Sequence, residues 1–343
     1  MQALASAKRP LIIAGGGCVS AQEPVRLLAQ AIGAATFTTY AGRGIFDGAD
    51  PLHFGQMLSR AGSADIIGSA DVVLAIGTEL AEVDLWRQDI GHRGTFIRVD
   101  IDPAMLTSRP RTAIGLCAQA EPALYAVLDG VQGAAVSGWS HAEVASARAG
   151  WRAETEAERP GLPVIIEALR TAMPEDAMIY SDMCQFVYAA KDIWPMPRAG
   201  HWHHPYGFGT LGYALPASIG GAVARAGLPT CCIIGDYGLQ YTVAELGTAV
   251  ELGLPLPIIL WDNGKLGEIE DSMIAAQIAP NAVIQRNPDF MALAKAYGAC
   301  AVQPATLDDI GPALAAAFRA DAPTVIRLTP DLTPDPTPDL TRA

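Results

Sequence analysis

Two polar turns, each following an apolar run, contain the residues best suited to bind a charged ligand. The first is Gly235-Asp236, after the run CCII, and the second contains Asn263, just beyond PIILW. Parallel strands end at the same edge of a sheet, and ligands bind at that edge in open α/β folds. Magnesium prefers oxygen ligands, a few from protein and others from phosphate and water. The pattern therefore predicts a magnesium site formed by Asp236, Asn263 and a backbone carbonyl near Lys265.

The glycines on either side of Asp236 suit a diphosphate bound to that metal. Gly235 and Gly238 would let the backbone approach a ligand closely. A helix predicted to begin here would direct free N–H groups and its positive dipole end toward the phosphates. Either turn alone is more often only a turn. The two together, each after an apolar strand, favour a diphosphate site.

The elements that must position these turns are apolar runs separated by Ala/Leu-rich stretches. The runs are LIIAGGG, DVVLAIG, TFIRVDIDP, AMIYSD, CCIIGD, PIILWDN and PTVIRL. Continuous apolar strands between helices are typical of parallel sheets covered on both faces. The chain has 343 residues, half of them hydrophobic, which favours two domains. The predicted fold class is α/β, with two doubly wound parallel-sheet domains in series.

The boundary between the domains is predicted from a change in composition. From about 131 to 163 the chain is rich in Ala, Ser, Gly and Glu and has no strand pattern. We expect a first domain over 1–160, with a linker from about 131, and a second over 161–330. Residues 331–343 repeat proline and acid without apolar periodicity, so they are predicted to be a disordered tail.

The overall composition excludes several classes of partner. A net charge of −13 disfavours binding to nucleic acid. Every apolar run is shorter than the roughly 20 residues that span a bilayer, so no membrane helix is expected. The six cysteines have no paired metal-ligand spacing, and the first residues lack a secretory pattern. We therefore expect reduced thiols and a cytoplasmic protein.

The two turns and their surroundings resemble the thiamine diphosphate family that includes acetohydroxyacid synthases and 2-oxo acid decarboxylases. The family's GDG and NN motifs correspond to Gly235-Asp236-Tyr237-Gly238 and Asp262-Asn263. Tyr237 replaces the third motif residue and Asp262 the first asparagine, whereas both metal side chains are retained. The resemblance implies that thiamine diphosphate and Mg²⁺ bind here, on two Rossmann-like domains.

Other segments of the chain extend this resemblance. In SDMCQF, Gln185 matches a glutamine that meets the diphosphate, while Cys184 and Phe186 replace the usual glycine and histidine. GFGTLGYALPASIGGAV resembles the segment beneath the thiazolium ring. By position, Leu211 is the bulky residue that holds the cofactor bent, and the Gly209 carbonyl accepts from its aminopyrimidine.

In the family, the glutamate that activates the cofactor belongs to an amino-terminal pyrimidine-binding domain, which has no counterpart in this sequence. Glu245 is no substitute, because it lies on the helix after the diphosphate turn. The chain resembles the central and diphosphate domains, so either the natural protein is longer or a second polypeptide supplies the glutamate. Family members form dimers or tetramers, which implies a homo-oligomer or a separate pyrimidine-domain partner.

Two further side chains are candidates for catalysis or substrate binding. His204, in HWHH with His201 and His203, could donate a proton near neutral pH. The three histidines resemble a metal site only superficially, because the sequence around them offers no fourth ligand. Glu268 could bind a cationic substrate tail, since guanidinium pairs bidentately with carboxylate. An exposed acidic helix start is the alternative for Glu268.

Several functions agree with these patterns. DVVLAIGTELAEVD, RVDIDP and WDNGKLGEI together look most like the branch that decarboxylates 5-guanidino-2-oxopentanoate, a small 2-oxo acid. An acetolactate synthase-like carboligase and a non-catalytic cofactor-binding subunit or fragment are the alternatives. Gly15 to Gly17 and Asp100-Ile101-Asp102 could bind a nucleotide, but an empty cleft is favoured because the glycine motif is partial.

Overall fold

The computed structural model describes residues 1–131, 137–284 and 286–332. They form two compact units, the first containing Met1–Glu154 and Pro195–Gly200 and the second the remainder from Thr155 onward. The short Pro195–Gly200 segment belongs with the first unit; a Cβ on Gly44, for example, would lie 2.6 Å from the Arg198 backbone. The start of the predicted linker at 132–136 and the predicted tail from 333 onward lie outside the described residues.

The first unit is built on a five-stranded parallel sheet, ordered β2-β1-β3-β4-β5. Its strands are β1 Pro10–Ala14, β2 Ala35–Thr38, β3 Val72–Ile76, β4 Thr95–Asp100 and β5 Ile114–Cys117. The helices are α1 Gln2–Ala5, α2 Gln22–Ile32, α3 Ser63–Ser69, α4 Glu82–Leu85, α5 Pro103–Thr107 and α6 Ala120–Gly130, and a 3₁₀ turn spans Gly16–Cys18. Helix α7, His141–Glu158, begins in this unit and continues past Glu154 into the second. Strands β1 and β3 are entirely buried, as expected for a sheet covered on both faces.

The second unit carries a six-stranded parallel sheet, ordered β10-β11-β9-β8-β6-β7. Its strands are β6 Met178–Ser181, β7 Trp202–His203, β8 Thr230–Gly235, β9 Pro257–Trp261, β10 Cys300–Val302 and β11 Thr324–Leu328. The helices are α8 Leu162–Ala172, α9 Gln185–Ile193, α10 Ala214–Ala224, α11 Asp236–Thr242, α12 Glu245–Glu251, α13 Gly267–Ala275, α14 Phe290–Ala296 and α15 Ile310–Ala317, with 3₁₀ turns at Leu307–Asp309 and Pro330–Leu332.

The strand order of the second unit creates a crevice between β6 and β8. From β6 the chain runs outward to β7 and then returns to add β8 on the other side of β6. Such a switch point leaves a gap beyond the carboxyl ends of the two strands, where ligands bind in open α/β sheets. The turn after Ser181 and the turn at Gly235 therefore face each other across this gap, with the end of β9 beside them.

The predicted fold class is confirmed, because both sheets are parallel and helices are interleaved with their strands. The seven apolar runs singled out in the sequence contain β1, β3, β4, β6, β8, β9 and β11. The four strands without such a run, β2, β5, β7 and β10, are the outermost strands of the two sheets. No helix among the described residues is long and apolar enough to cross a membrane.

Burial of β9 should contribute strongly to the stability of the second unit. Ile258, the second residue of β9, is 0% exposed and belongs to a hydrophobic core, whereas Ile274 on α13 is 58% exposed. Replacing Ile258 with alanine should lower the free energy of unfolding by about 2–5 kcal/mol, through lost burial and a residual cavity. Ile274→Ala makes the same change at an exposed position, where the expected effect is within about 0.5 kcal/mol. Urea unfolding followed by circular dichroism compares the two.

Candidate cofactor site

The structure brings the two predicted turns into direct contact. Asp236 opens α11 at the end of β8 and is almost fully buried. Its Oδ2 accepts a hydrogen bond of 2.9 Å from the N–H of Gly264, in the turn after β9. The same oxygen accepts a bond of 2.7 Å from Asn287 Nδ2, while Oδ1 accepts from the N–H of Tyr237 at 2.8 Å. One carboxylate thus joins α11 to the Asn263-Gly264 turn.

Asn263 is held between that turn and α9. Its Nδ2 donates to Gln185 Oε1 at 3.1 Å, and its Oδ1 accepts from the N–H of Lys265 at 3.4 Å. The Lys265 ammonium pairs with Glu270 at 2.7 Å, so this side chain has a carboxylate partner of its own. Gln185, Asp236, Asn263 and Lys265, all singled out from the sequence, therefore lie in one cluster at the carboxyl ends of β6, β8 and β9.

The surroundings of Asp236 disfavour its negative charge. Burial raises the pKa of Asp236 from 3.8 to about 6, and the nearby charge of Asp262 adds to the rise. Hydrogen bonds from Asn287, Tyr237 and Gly264 oppose it. A bound cation would supply the positive charge that this carboxylate lacks and would favour its ionised form.

The donor set of this cluster fits a magnesium ion. A carboxylate has about four acceptor positions, and three at Asp236 are used by the bonds described above, which leaves room for one cation. The Gln185 contact orients the Asn263 amide with its nitrogen toward α9. Side-chain and backbone oxygens are the ligands expected of magnesium. Among the described residues, no three His, Cys, Asp or Glu side chains gather as an alternative metal cluster.

The glycines of the first turn are required by the protein's own side chains. A Cβ on Gly238 would lie 2.0 Å from Asp182 Oδ2, and one on Gly235 would lie 2.9 Å from Cys184 Cβ. Tyr237, in the third motif position, is buried, and its hydroxyl donates to the carbonyl of Val283 at 3.3 Å. This tyrosine therefore ties α11 to the segment that follows α13.

Asp182, at the end of β6, was not selected from the sequence although it anchors the neighbouring loop. Its Oδ2 accepts from the N–H of Gly212 at 2.7 Å, and its Oδ1 accepts from Tyr213 at 2.9 Å and Ala214 at 3.2 Å. Burial raises the pKa of Asp182 to about 6 despite these three bonds. An aspartate directly after a buried strand, the same signal that identified Asp236, could have revealed it.

The loop that Asp182 anchors contains the residues assigned by resemblance to the thiazolium segment. Gly209 has a φ of +70°, and a Cβ there would lie 3.1 Å from Met183 Cε. Gly212, with a φ of +83°, places its N–H on Asp182. Leu211 is partly exposed rather than core, so its side chain can contact a ligand. Because Gly209 lies near Met183 and Gly212 donates to Asp182, the loop lies next to the crevice between β6 and β8.

His204 is buried beside the end of β6, and the three histidines do not converge. Its Nδ1 lies 3.0 Å from Ser181 Oγ, which also accepts from Trp202 Nε1 at 2.7 Å. His201 Nδ1 lies 3.4 Å from the carbonyl of Ala177 instead, and His203 stacks on Tyr180. Ser181 precedes Asp182, so His204 lies at the base of the loop that Asp182 anchors.

Glu268 already holds a guanidinium. Its Oε1 accepts from Nε of Arg159 at 3.1 Å and forms a second, shorter bond to Nη2 of the same arginine. Glu268 follows Gly267, where a Cβ would lie 3.2 Å from both Gln185 and Asn263. The Glu268 carboxylate is thus close to the cluster of Gln185 and Asn263, and its charge is offset by Arg159.

Asp262, Asn287 and Arg327 complete the cluster and were not chosen as site residues from the sequence. Asn287 Nδ2 donates to Asp262 Oδ1 at 2.8 Å as well as to Asp236. Arg327 Nε donates to the other oxygen of Asp262 at 2.7 Å. Asp262 occupies a position of the family motif, whereas Asn287 and Arg327 belong to no motif singled out in the sequence. Only the fold brings these two residues to the cluster.

In the first unit, the glycine run after β1 packs against the end of β3. The N–H of Gly17 donates to the carbonyl of Gly77 at 3.0 Å, and a Cβ on Gly15 would lie 2.2 Å from that carbonyl oxygen. Contact between two backbones accounts for the glycines at 15 and 17 without a nucleotide.

Two family models match this chain. Residues 182–328 match the thiamine pyrophosphate enzyme C-terminal TPP binding domain, and residues 1–127 match the central domain of the same enzymes. The probable 2-ketoarginine decarboxylase AruI of Pseudomonas aeruginosa is 39% identical over 327 residues, which cover 95% of this chain and 58% of that protein. The chain belongs to the thiamine pyrophosphate enzyme family.

Two acetolactate synthase large subunits are similar to the chain at lower identity. An acetolactate synthase large subunit of Parasynechococcus marenigrum is 29% identical over 341 residues, covering 93% of this chain and 54% of that protein. The isozyme 2 large subunit of Escherichia coli is 27% identical over 342 residues, covering 96% and 61%. The chain therefore spans rather more than half the length of the curated relatives it matches. Asp182, Gln185, Asp236 and Asn263 all lie within the matched C-terminal domain.

Replacing Asp182 with asparagine should destabilise the chain in a pH-dependent way. The folded pKa of about 6 lies above the ordinary 3.8, so the contribution of Asp182 is full below about 3.8 and is lost as pH rises through about 6. At pH 5.0 the variant should be less stable than the wild type by about 1–3 kcal/mol, because the introduced amide nitrogen would face the backbone N–H groups. The difference in stability between the two proteins should be smaller at pH 7.5.

Urea unfolding of both proteins at the two pH values measures this difference. Asp271 is exposed on α13, so Asp271→Asn makes the same chemical change without burial. It should leave stability unchanged at both pH values. If Asp182→Asn lowered the free energy of unfolding by the same amount at pH 5.0 and at pH 7.5, the raised pKa of Asp182 would be contradicted.

Proposed function

We propose that this chain binds the diphosphate end of thiamine diphosphate through Mg²⁺ and serves in the non-oxidative decarboxylation of a 2-oxo acid to an aldehyde. The observation that carries the proposal is the hydrogen bond from Gly264 to Asp236, which joins the two motif turns at the carboxyl ends of β8 and β9. Asp236, Asn263 and the backbone carbonyl of Lys265 would hold the ion. When bound, the thiazolium ring supplies the electron sink that decarboxylation requires.

The remaining predicted residues surround this centre in roles that we assign by their positions. Gln185 orients the Asn263 amide and contacts Gly267, so it would meet the diphosphate from α9. Gly235, Tyr237 and Gly238 form the turn beneath it. Gly209 and Leu211, on the loop that Asp182 anchors, would support the rings of the cofactor. His204 lies at the base of that loop and would donate a proton to the product.

Removing the metal carboxylate tests the cofactor assignment. Asp236→Asn, in the full-length protein that contains this chain, should weaken Mg²⁺-dependent binding of thiamine diphosphate by roughly 100-fold or more, because a direct ligand exceeds the 10–100-fold effect of outer residues. Calorimetric titration of the metal-free protein with thiamine diphosphate, first with Mg²⁺ and then with a chelator present, measures this affinity. Asp271→Asn, exposed on α13, is the matched control. Equal affinity for Asp236→Asn and wild type would exclude this site.

The substrate proposal is 5-guanidino-2-oxopentanoate, also called 2-ketoarginine. It is supported by the name of the 39% identical relative and by the contact between Glu268 and a guanidinium. We propose that the guanidinium of the substrate takes the place of Arg159 on Glu268. A substrate without a cationic tail would have no reason to displace that arginine.

Two variants separate this role from a purely structural ion pair. Glu268→Gln should lower kcat/KM for 2-ketoarginine by roughly tenfold, since one charge-assisted bond is worth on the order of 1.4 kcal/mol at a partly exposed position. The value for 2-oxohexanoate, a 2-oxo acid whose tail carries no charge, should be unchanged. Arg159→Met should lower KM for 2-ketoarginine, because the Arg159 guanidinium would no longer compete with the substrate for Glu268. Equal effects on both acids would count against Glu268 as the specificity residue.

An acetolactate synthase-like carboligase is the second candidate, favoured by the relatives at 29% and 27% identity. The two reactions differ in whether a proton or a second carbonyl captures the product carbon. Incubation of the full-length protein with 2-ketoarginine and with pyruvate separately distinguishes them. Acetolactate from pyruvate, with no aldehyde from either acid, would establish the carboligase.

Activity is also proposed to depend on a pyrimidine-domain glutamate from outside these residues, in a homo-oligomer or a separate partner. A non-catalytic cofactor-binding subunit or fragment is the outcome if Mg²⁺-dependent cofactor binding occurs without turnover of any 2-oxo acid. All six cysteines are free, which supports a cytoplasmic location, where thiols stay reduced.

A further inference from the structure

Asn287 lies between two carboxylates of the second unit. Its Nδ2 donates to Asp236 Oδ2 at 2.7 Å and to Asp262 Oδ1 at 2.8 Å. An amide nitrogen carries two hydrogens, so each carboxylate receives one. The carboxylates of Asp236 and Asp262 would repel each other if no hydrogen-bond donor lay between them. Asn287 therefore fixes the relative position of the two acids.

The orientation of the Asn287 amide is fixed from its other end. Gln240 Nε2 lies 3.2 Å from Asn287 Oδ1 and 3.2 Å from the backbone carbonyl of Asp236. Rotating the amide would place its nitrogen against the Gln240 donor and would remove both bonds to the carboxylates. The network thus allows one arrangement, as expected when every polar group in it has a partner.

Asp262 has its own counter-charge. Its Oδ2 accepts from Arg327 Nε at 2.7 Å, and Arg327 Nη1 donates to Gln303 Oε1 at 2.8 Å. Asp262 is only 8% exposed, so its ionised form needs such a partner. An arginine on β11 thus offsets the charge of Asp262.

We propose that Asn287, Asp262 and Arg327 are positioning residues for the metal carboxylate of Asp236. They hold Oδ2 in place, so the remaining acceptor position of Asp236 is presented to a divalent cation in one orientation. Residues that orient a metal ligand typically change metal affinity when they are removed. This inference rests on the proposed function, because it concerns the same magnesium ion.

The first test is the affinity of the full-length, metal-free protein for Mg²⁺ in the presence of thiamine diphosphate, measured by calorimetry. Asn287→Ala should raise the apparent Kd for Mg²⁺ roughly 10- to 100-fold. Asn281→Ala is the matched control, because Asn281 is an exposed asparagine six positions earlier in the same segment. It should leave the Kd unchanged. The melting temperature of the metal-free protein shows whether either variant has lost structure.

A second pair of variants separates positioning from folding. Asp262→Asn leaves Arg327 without a counter-charge beside the cation, so Mg²⁺ affinity should fall several-fold. Adding Arg327→Gln removes that charge, and the double variant should regain most of the wild-type affinity because the carbonyl oxygen of the introduced amide can still accept from Asn287. A general packing defect would grow worse with the second substitution. If Asn287→Ala does not fold, this pair decides the question.

The outcomes of the two proposals are distinct. Wild-type protein without Mg²⁺-dependent binding of thiamine diphosphate overturns the proposed function and the positioning role together. Wild-type binding with an unchanged Kd in Asn287→Ala overturns the positioning role alone. A raised Kd in Asn287→Ala and Asp262→Asn, with recovery in the double variant, supports it.

Discussion

A buried carboxylate at the end of β6 is the interaction on which the candidate site depends. Asp182 accepts three backbone N–H groups from the start of α10, and its Oδ2 also lies where any side chain at position 238 would have to be. It therefore fixes a loop and the first turn of α11 at once.

Around that anchor, the charges of the second unit are largely matched within the chain. Glu268 pairs with Arg159, Glu270 with Lys265, and Asp262 with Arg327. Asp236 differs, because the partners described for it are neutral N–H groups and its pKa is raised. Asp182 likewise accepts only neutral N–H groups, but its three bonds hold the loop before α10, whereas Asp236 is the carboxylate that the sequence motif assigns to the metal. Because the neighbours of Asp236 are paired within the chain, a bound cation would meet uncompensated negative charge at Asp236.

Much of this arrangement could be predicted from the sequence, and the remainder could not for physical reasons. Central strands such as β8 and β9 are buried on both faces, so they leave continuous apolar runs. Edge strands lack that constraint: β5 is mostly exposed and β7 has two residues. Asp236 and Asn263 follow central strands and were found. Asn287 follows no strand, and its place depends on how the segment after α13 folds back, which no local pattern encodes.

The pairing of Asp262 with Arg327 also couples the effects of substitution at the two positions. A change from aspartate to asparagine at position 262 would leave the charge of Arg327 without its partner, close to Asp236. Loss of the arginine first would instead leave Asp262, which is 8% exposed, as an unbalanced acid beside Asp236. Either single change leaves one charge unpaired, so the effects of changing the two positions on stability are expected to be non-additive.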